Sequence, residues 1–116
     1  MALQAYQKAQ RAAENPRNAE YRLFGQVTGA LLDAQNAGTK GVGLIGALDW
    51  NRRMWSSFAV DCMDDSNQLP KPLRAQIVSL SIWVTKYSSE VMQKGAPLEP
   101  LIDINRNIMQ GLQAAA

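Results

Sequence analysis

The heptamer Asp49-Trp50-Asn51-Arg52-Arg53-Met54-Trp55 gathers the side chains best suited to recognition chemistry. Two tryptophans beside two arginines could stack on bases and contact phosphates, as RNA-binding surfaces do. Trp, Met and Arg are also enriched where proteins meet, so Trp50, Arg53 and Met54 could instead anchor a protein partner. On a helix Trp50 and Met54 stand one turn apart, with Arg53 beside their face. A plainer reading makes Trp55 a core residue and pairs the arginines with Asp49 or with helix C-termini.

Gly41-Val42-Gly43-Leu44-Ile45-Gly46 fits the pattern G-x-G-x-x-G. A dinucleotide site needs a strand before that pattern and a parallel sheet around it. Asn36 to Lys40 is turn-like and its surroundings are helical, so the expectation is a loop and a loose first helical turn. Gly43 and Gly46 should each weaken that turn by roughly 1 kcal/mol relative to alanine. Asp64-Asp65 lacks the ligand spacing of a calcium loop and reads as a solvated connection. Asn105, flanked by Arg106 and Asn107, shares a stripe with Ile102, Met109 and Leu112. If buried, it must be hydrogen-bonded. It would then fix helix register, or else face a partner helix.

The absences exclude whole classes of chemistry. The sequence has no histidine, which removes His general bases, His metal ligands and the Ser-His and Cys-His nucleophile pairs. Its one cysteine, Cys62, can form neither an intrachain disulfide nor a Cys-based zinc site, and it suits a reducing compartment. No pair of carboxylates stands out for acid–base work. The expectation is a non-enzymatic protein with no cofactor, no metal and no small-molecule substrate.

A net charge of +2, from 12 basic and 10 acidic residues, is too small to announce a nucleic-acid partner. The basic residues outside the heptamer are scattered, which argues against direct RNA binding. The apolar stretch Ile77 to Val84 is broken by two serines and is far short of a bilayer span. The N-terminus lacks a basic-then-apolar leader pattern. Membrane insertion is therefore not expected, and a cytoplasmic location is.

These residues must be positioned by helices. The chain has 116 residues, 47% of them hydrophobic, enough for one domain over 1–116 that buries roughly 65% of its unfolded surface. Apolar spacing is helical throughout. A short helix is expected over Leu3 to Glu14, ending at Asn15-Pro16. A second runs from Pro16 to Gln35 on the stripe Phe24, Val27, Leu31 and Ala34, with Gly38 as a left-handed cap. A third covers Val42 to Met63 on the seam Leu44, Leu48, Trp55, Phe58 and Cys62, interrupted by Asn51.

The fourth, Pro72 to Lys94, carries two stripes: Leu73, Ile77, Leu80, Val84, Tyr87 and Val91, and beside it Ala75, Val78, Ile82 and Met92. Two apolar faces predict a central helix packed by several neighbours. The fifth starts near Pro97 to Pro100 and ends near Leu112. The sum is an all-α fold, a small antiparallel bundle of four longer helices plus a short N-terminal one, with consecutive helices as neighbours.

Several stretches resemble the FlaF family of alphaproteobacterial flagellar biosynthesis regulators. They are Ala5-Tyr6-Gln7, then 16–24 (PRNAEYRLF), 47–55 (ALDWNRRMW) and Leu73-Arg74-Ala75. Further on come 79–84 (SLSIWV), 88–92 (SSEVM) and 100–106 (PLIDINR) through Met109. The Trp-Asn-Arg-Arg and Ile-Asn-Arg segments in this order are the more specific part. The glycine cluster at 41, 43 and 46 lies outside the family pattern.

The resemblance implies a cytoplasmic factor for flagellin production and export, acting beside FlbT, a post-transcriptional regulator of flagellin messenger RNA. It implies flagellin as partner, with FlbT a further candidate, and no catalytic residue. Flagellin's terminal segments are amphipathic helices in the filament and disordered before assembly. A helical bundle could cap one by accepting its apolar face into an apolar, methionine-rich groove that is mildly basic or amide-rimmed. The residues expected there are Trp50, Met54, Trp83, Met92 and Met109, with Arg53 and Arg106 at the rim. Each has a place in the core as its alternative, Trp83 above all.

Overall fold

A computed structural model describes residues 2–3 and 16–115. The expected helix over Leu3 to Glu14 lies largely outside the described residues. Four helices follow: α1 (Pro16–Ala37), α2 (Val42–Met63), α3 (Lys71–Lys94) and α4 (Glu99–Ala115). No described residue is in a strand.

Local chemistry sets the boundaries. Gly38 takes φ 61° after α1. Its N–H reaches Gln35 O at 3.3 Å, and the next N–H, on Thr39, reaches Ala34 O at 2.9 Å. That is the Schellman pattern, which meets two of the last carbonyls and turns the chain back. Gly95 ends α3 the simpler way, with φ 67° and one bond from its N–H to Val91 O at 3.1 Å. Between α2 and α3 the Asp64–Leu69 loop is held by side chains. Arg74 Nε donates to Cys62 O, and its terminal nitrogen to Asp64 O, both at 2.8 Å, so one guanidinium closes the end of α2.

The helices alternate in direction. Phe24 meets Trp55 and Phe58 edge-on, with ring centroids 5.5 and 5.4 Å apart, which sets α1 antiparallel to α2. Thr28 bonds Asn105, while the Met109 methyl stands 3.5 Å from where a Cβ on Gly25 would lie; α4 therefore also runs antiparallel to α1. The expected seams are buried, Phe24, Val27, Leu31 and Ala34 on α1 and Leu48, Trp55, Phe58 and Cys62 on α2, except that Leu44 at the start of α2 is half-buried.

Two expectations need correction. α4 packs chiefly on α1 and only sparsely on α3, its neighbour in sequence. The two helices touch at few points: Tyr87 donates its hydroxyl to Pro97 O, in the connection before α4, at 2.7 Å, and Leu73 lies against Gly111. Nor is α3 central. Ile77, Val84 and Val91 are buried, but of the second stripe Val78 alone packs against the core, with Ala75 exposed, Ile82 58% exposed and Met92 50% exposed. α3 packs mainly on α2, so one apolar face suffices.

Candidate functional site

The α2 heptamer divides between core and surface along its helical repeat. Asn51, Met54 and Trp55 face inward and are buried, while Trp50, Arg52 and Arg53 face outward. Asp49 holds both arginines, Arg52 at 2.6 Å and Arg53 at 3.2 Å. Each arginine thus meets a carboxylate on its own helix, as the plainer reading had it.

Met54 is 6% exposed and packs in the core, so it is unable to take part in a surface anchor. Trp83 is half-buried, stacked on Tyr87 at 5.0 Å and packed against the core. Met109 is half-buried beside Gly25. Arg106 is exposed on α4.

Trp50 and Met92 are different. They border two open hollows on either side of the α1–α2 connection. Trp50 lines a shallow one between α1 and α2, walled by Ala30, Ala37, Gly43 and Gly46. Met92 lines a deeper groove of about 460 Å³ floored by Leu44, Val91, Ala96 and Leu98. Ala34 and Thr39 belong to both, so the hollows adjoin. Of the seven expected groove residues, these two are the ones the fold sets at adjoining hollows.

The glycine run makes this end possible. Gly41 has φ 64° and precedes the first turn of α2, and the element leading into it is helix α1 where a dinucleotide fingerprint needs a strand. A Cβ on Gly43 would lie 2.8 Å from Thr39 Cγ2, closer than carbon atoms pack. Glycine there lets the chain fold tightly back on α1.

The sequence reading missed Val42, 87% exposed in the first turn of α2, and Lys40 and Leu44 in the deeper groove. A signal was present. Val42, Gly43, Gly46 and Trp50 recur at helical spacing, which draws one face of small residues closed by a tryptophan.

Inside the bundle three helices meet through polar groups. Asn105 Oδ1 accepts from Trp55 Nε1 at 2.8 Å. Its Nδ2 donates to Asn51 Oδ1 at 2.8 Å and to Thr28 Oγ1 at 3.2 Å. Thr28 passes its own hydroxyl proton to Phe24 O at 2.6 Å. Asn51 Nδ2 is the one buried side-chain N or O among the described residues with no partner.

Titratable groups follow their surroundings. Burial pushes the Cys62 thiol up to about 11, leaving it protonated and inert at neutral pH. Burial also raises Glu20, against the pull of Arg17 at 2.6 Å. Asp64 is lowered, first by the Ser66 backbone N–H and then by the Ser66 hydroxyl, so the acidic pair belongs to a self-bonded turn. Among the described residues no three Asp, Glu or Cys side chains gather closely enough to hold a metal ion. No helix among them is long and apolar enough to cross a membrane.

A family model described as flagellar protein FlaF matches residues 2–112. No curated protein and no solved structure matches the chain.

Proposed function

The chain belongs to the FlaF family of flagellar proteins, and on that footing we propose that it is a cytoplasmic export chaperone that binds flagellin and, with FlbT, regulates flagellin synthesis post-transcriptionally. It works by binding, with no catalytic step and no cofactor. One observation carries the reading. Val42, Trp50 and Met92, 87%, 39% and 50% exposed, crowd one end of the bundle around two adjoining hollows. Exposed apolar side chains beside concave surface suit an amphipathic helix, and methionine adapts to related sequences. An unassembled flagellin terminus would supply such a helix.

Size-exclusion chromatography with light scattering, on the protein alone and mixed with monomeric flagellin, tests this. A complex of defined mass is expected, and its mass gives the stoichiometry. Trp50→Ala and Met92→Ala should each weaken it by about tenfold or more, with the thermal midpoint nearly unchanged. Separate elution well above micromolar concentration would overturn the chaperone role. The function would then move to translational control through FlbT or flagellin messenger RNA.

A further inference from the structure

We propose that α4 is an exchangeable helix: when chains are concentrated it leaves its own bundle and seats on α1 and α2 of a second copy, which returns its own α4 in exchange. α4 sets Leu101, Ile102, Asn105, Ile108 and Leu112 on one buried face. What holds that face is not the helix next to it in the chain. Asn105 bonds Thr28 of α1 and both Asn51 and Trp55 of α2. α4 packs chiefly on α1 and only sparsely on α3. A helix so placed makes the same contacts with α1 and α2 of either copy.

The seat is also where a buried group goes unmet. Trp55 Nε1 can only donate, so Asn105 Oδ1 must accept from it and Asn105 Nδ2 must donate to Asn51 Oδ1. Asn51 Nδ2 is then left without an acceptor. Water meets that amide when α4 lifts away, which lowers the cost of leaving. The apolar face of α4 does not stay in water, and a second chain offers it the seat that already fits it. The connection supplies the hinge. Leu98 O accepts from the N–H groups of Leu101 and Ile102, at 3.0 and 3.2 Å, so Leu98 travels with α4. Gly95, Ala96 and Pro97 are left to straighten, restrained by the Tyr87 hydroxyl on Pro97 O at 2.7 Å. These three residues also line the deeper groove, so exchange takes that groove apart.

Equal amounts of ¹⁵N-labelled and ¹³C-labelled full chain, mixed in urea and refolded together at about 1 mM, test the exchange. Light scattering should show a dimer fraction. Within it an isotope-filtered NOE should run from the Trp55 indole N–H of one copy to the Asn105 side chain of the other. Tyr87→Phe frees both connections of a dimer and should tighten it several-fold. A Gly-Ser-Gly-Ser insertion after Ala96 lets the chain turn back without constraint and should return it to monomer. Circular dichroism checks that each variant folds.

A dimer without that NOE would join the chains through another surface and overturn the proposal. So would a chain that stays monomeric both as the parent and as Tyr87→Phe, or a dimer that the insertion leaves unchanged. None of these measurements involves flagellin, so the chaperone reading stands or falls separately.

Discussion

Asn105 carries more of the core than its size suggests, because it joins α1, α2 and α4 in one polar contact set. Its carbonyl takes the Trp55 indole N–H and its two amide protons go to Asn51 and Thr28. Asn105→Ala would leave the Trp55 N–H and the Asn51 carbonyl unmet in a dry interior. Each stranded group costs about 1–3 kcal/mol, so the variant should lose about 3 kcal/mol or more in urea unfolding. Asn51→Ala removes one bond but also an amide that has no acceptor. It should cost less, by at least about 1 kcal/mol. Equal losses would mean that the orphaned amide finds a partner, such as an enclosed water. The surface anchor read from Met54 fails at this same scale. Position 54 shares a helix face with the buried positions 51, 55 and 58, and that periodicity was legible beforehand.

The elements were read well from sequence where local chemistry sets them. α2 begins and ends where apolar spacing, glycines and the Asp64 loop place it, and Gly38 and Gly95 cap their helices with positive φ. The stripes of α1 and α2 are the buried ones. What stayed hidden was which helix meets which. The second stripe of α3 looks apolar in one dimension, yet α3 has one main neighbour, and Ile82 and Met92 face outward. Pairing depends on which faces meet across a seam, as where Asn105 of α4 bonds Thr28 of α1, and spacing along one helix does not encode it.

The glycines of α2 differ for a similar reason. Nothing lies within 4 Å of a Cβ built on Gly46, whereas one on Gly43 meets Thr39. Gly46→Ala should stabilise the fold by about 0.5–1 kcal/mol, the ordinary helix-propensity gain. Gly43→Ala should lose that gain to the crowding of Thr39. Thr39→Ser removes Cγ2, so Gly43→Ala in that background should become stabilising. Denaturant midpoints across this double-mutant cycle measure the coupling; simple additivity would show that Thr39 moves aside freely.

At the scale of the molecule, the helices form a slab of 44 × 40 × 20 Å, about two helix diameters thick, and its three tryptophans sit in three environments. Trp55 is fully buried and hydrogen-bonded, Trp83 is half-buried on α3 and stacked on Tyr87, and Trp50 is exposed at the hollow between α1 and α2. A thin slab has little bulk to isolate a binding event, so the three indoles together tell a local contact from a rearrangement of the bundle. With 5-fluorotryptophan incorporated, the protein should give three ¹⁹F resonances, each assigned by a Trp→Phe variant. The shift between light and heavy water, which reports exposure, should be largest for Trp50, smaller for Trp83 and absent for Trp55. A partner docking at the α1–α2 end should move the Trp50 resonance and remove its solvent shift while Trp55 stays fixed. Movement of Trp83 alone would transfer the site to α3, around the Trp83–Tyr87 stack. Movement of all three would mean that the bundle opens to admit its partner, because the Trp55–Asn105 bond is unable to survive separation of α2 from α4.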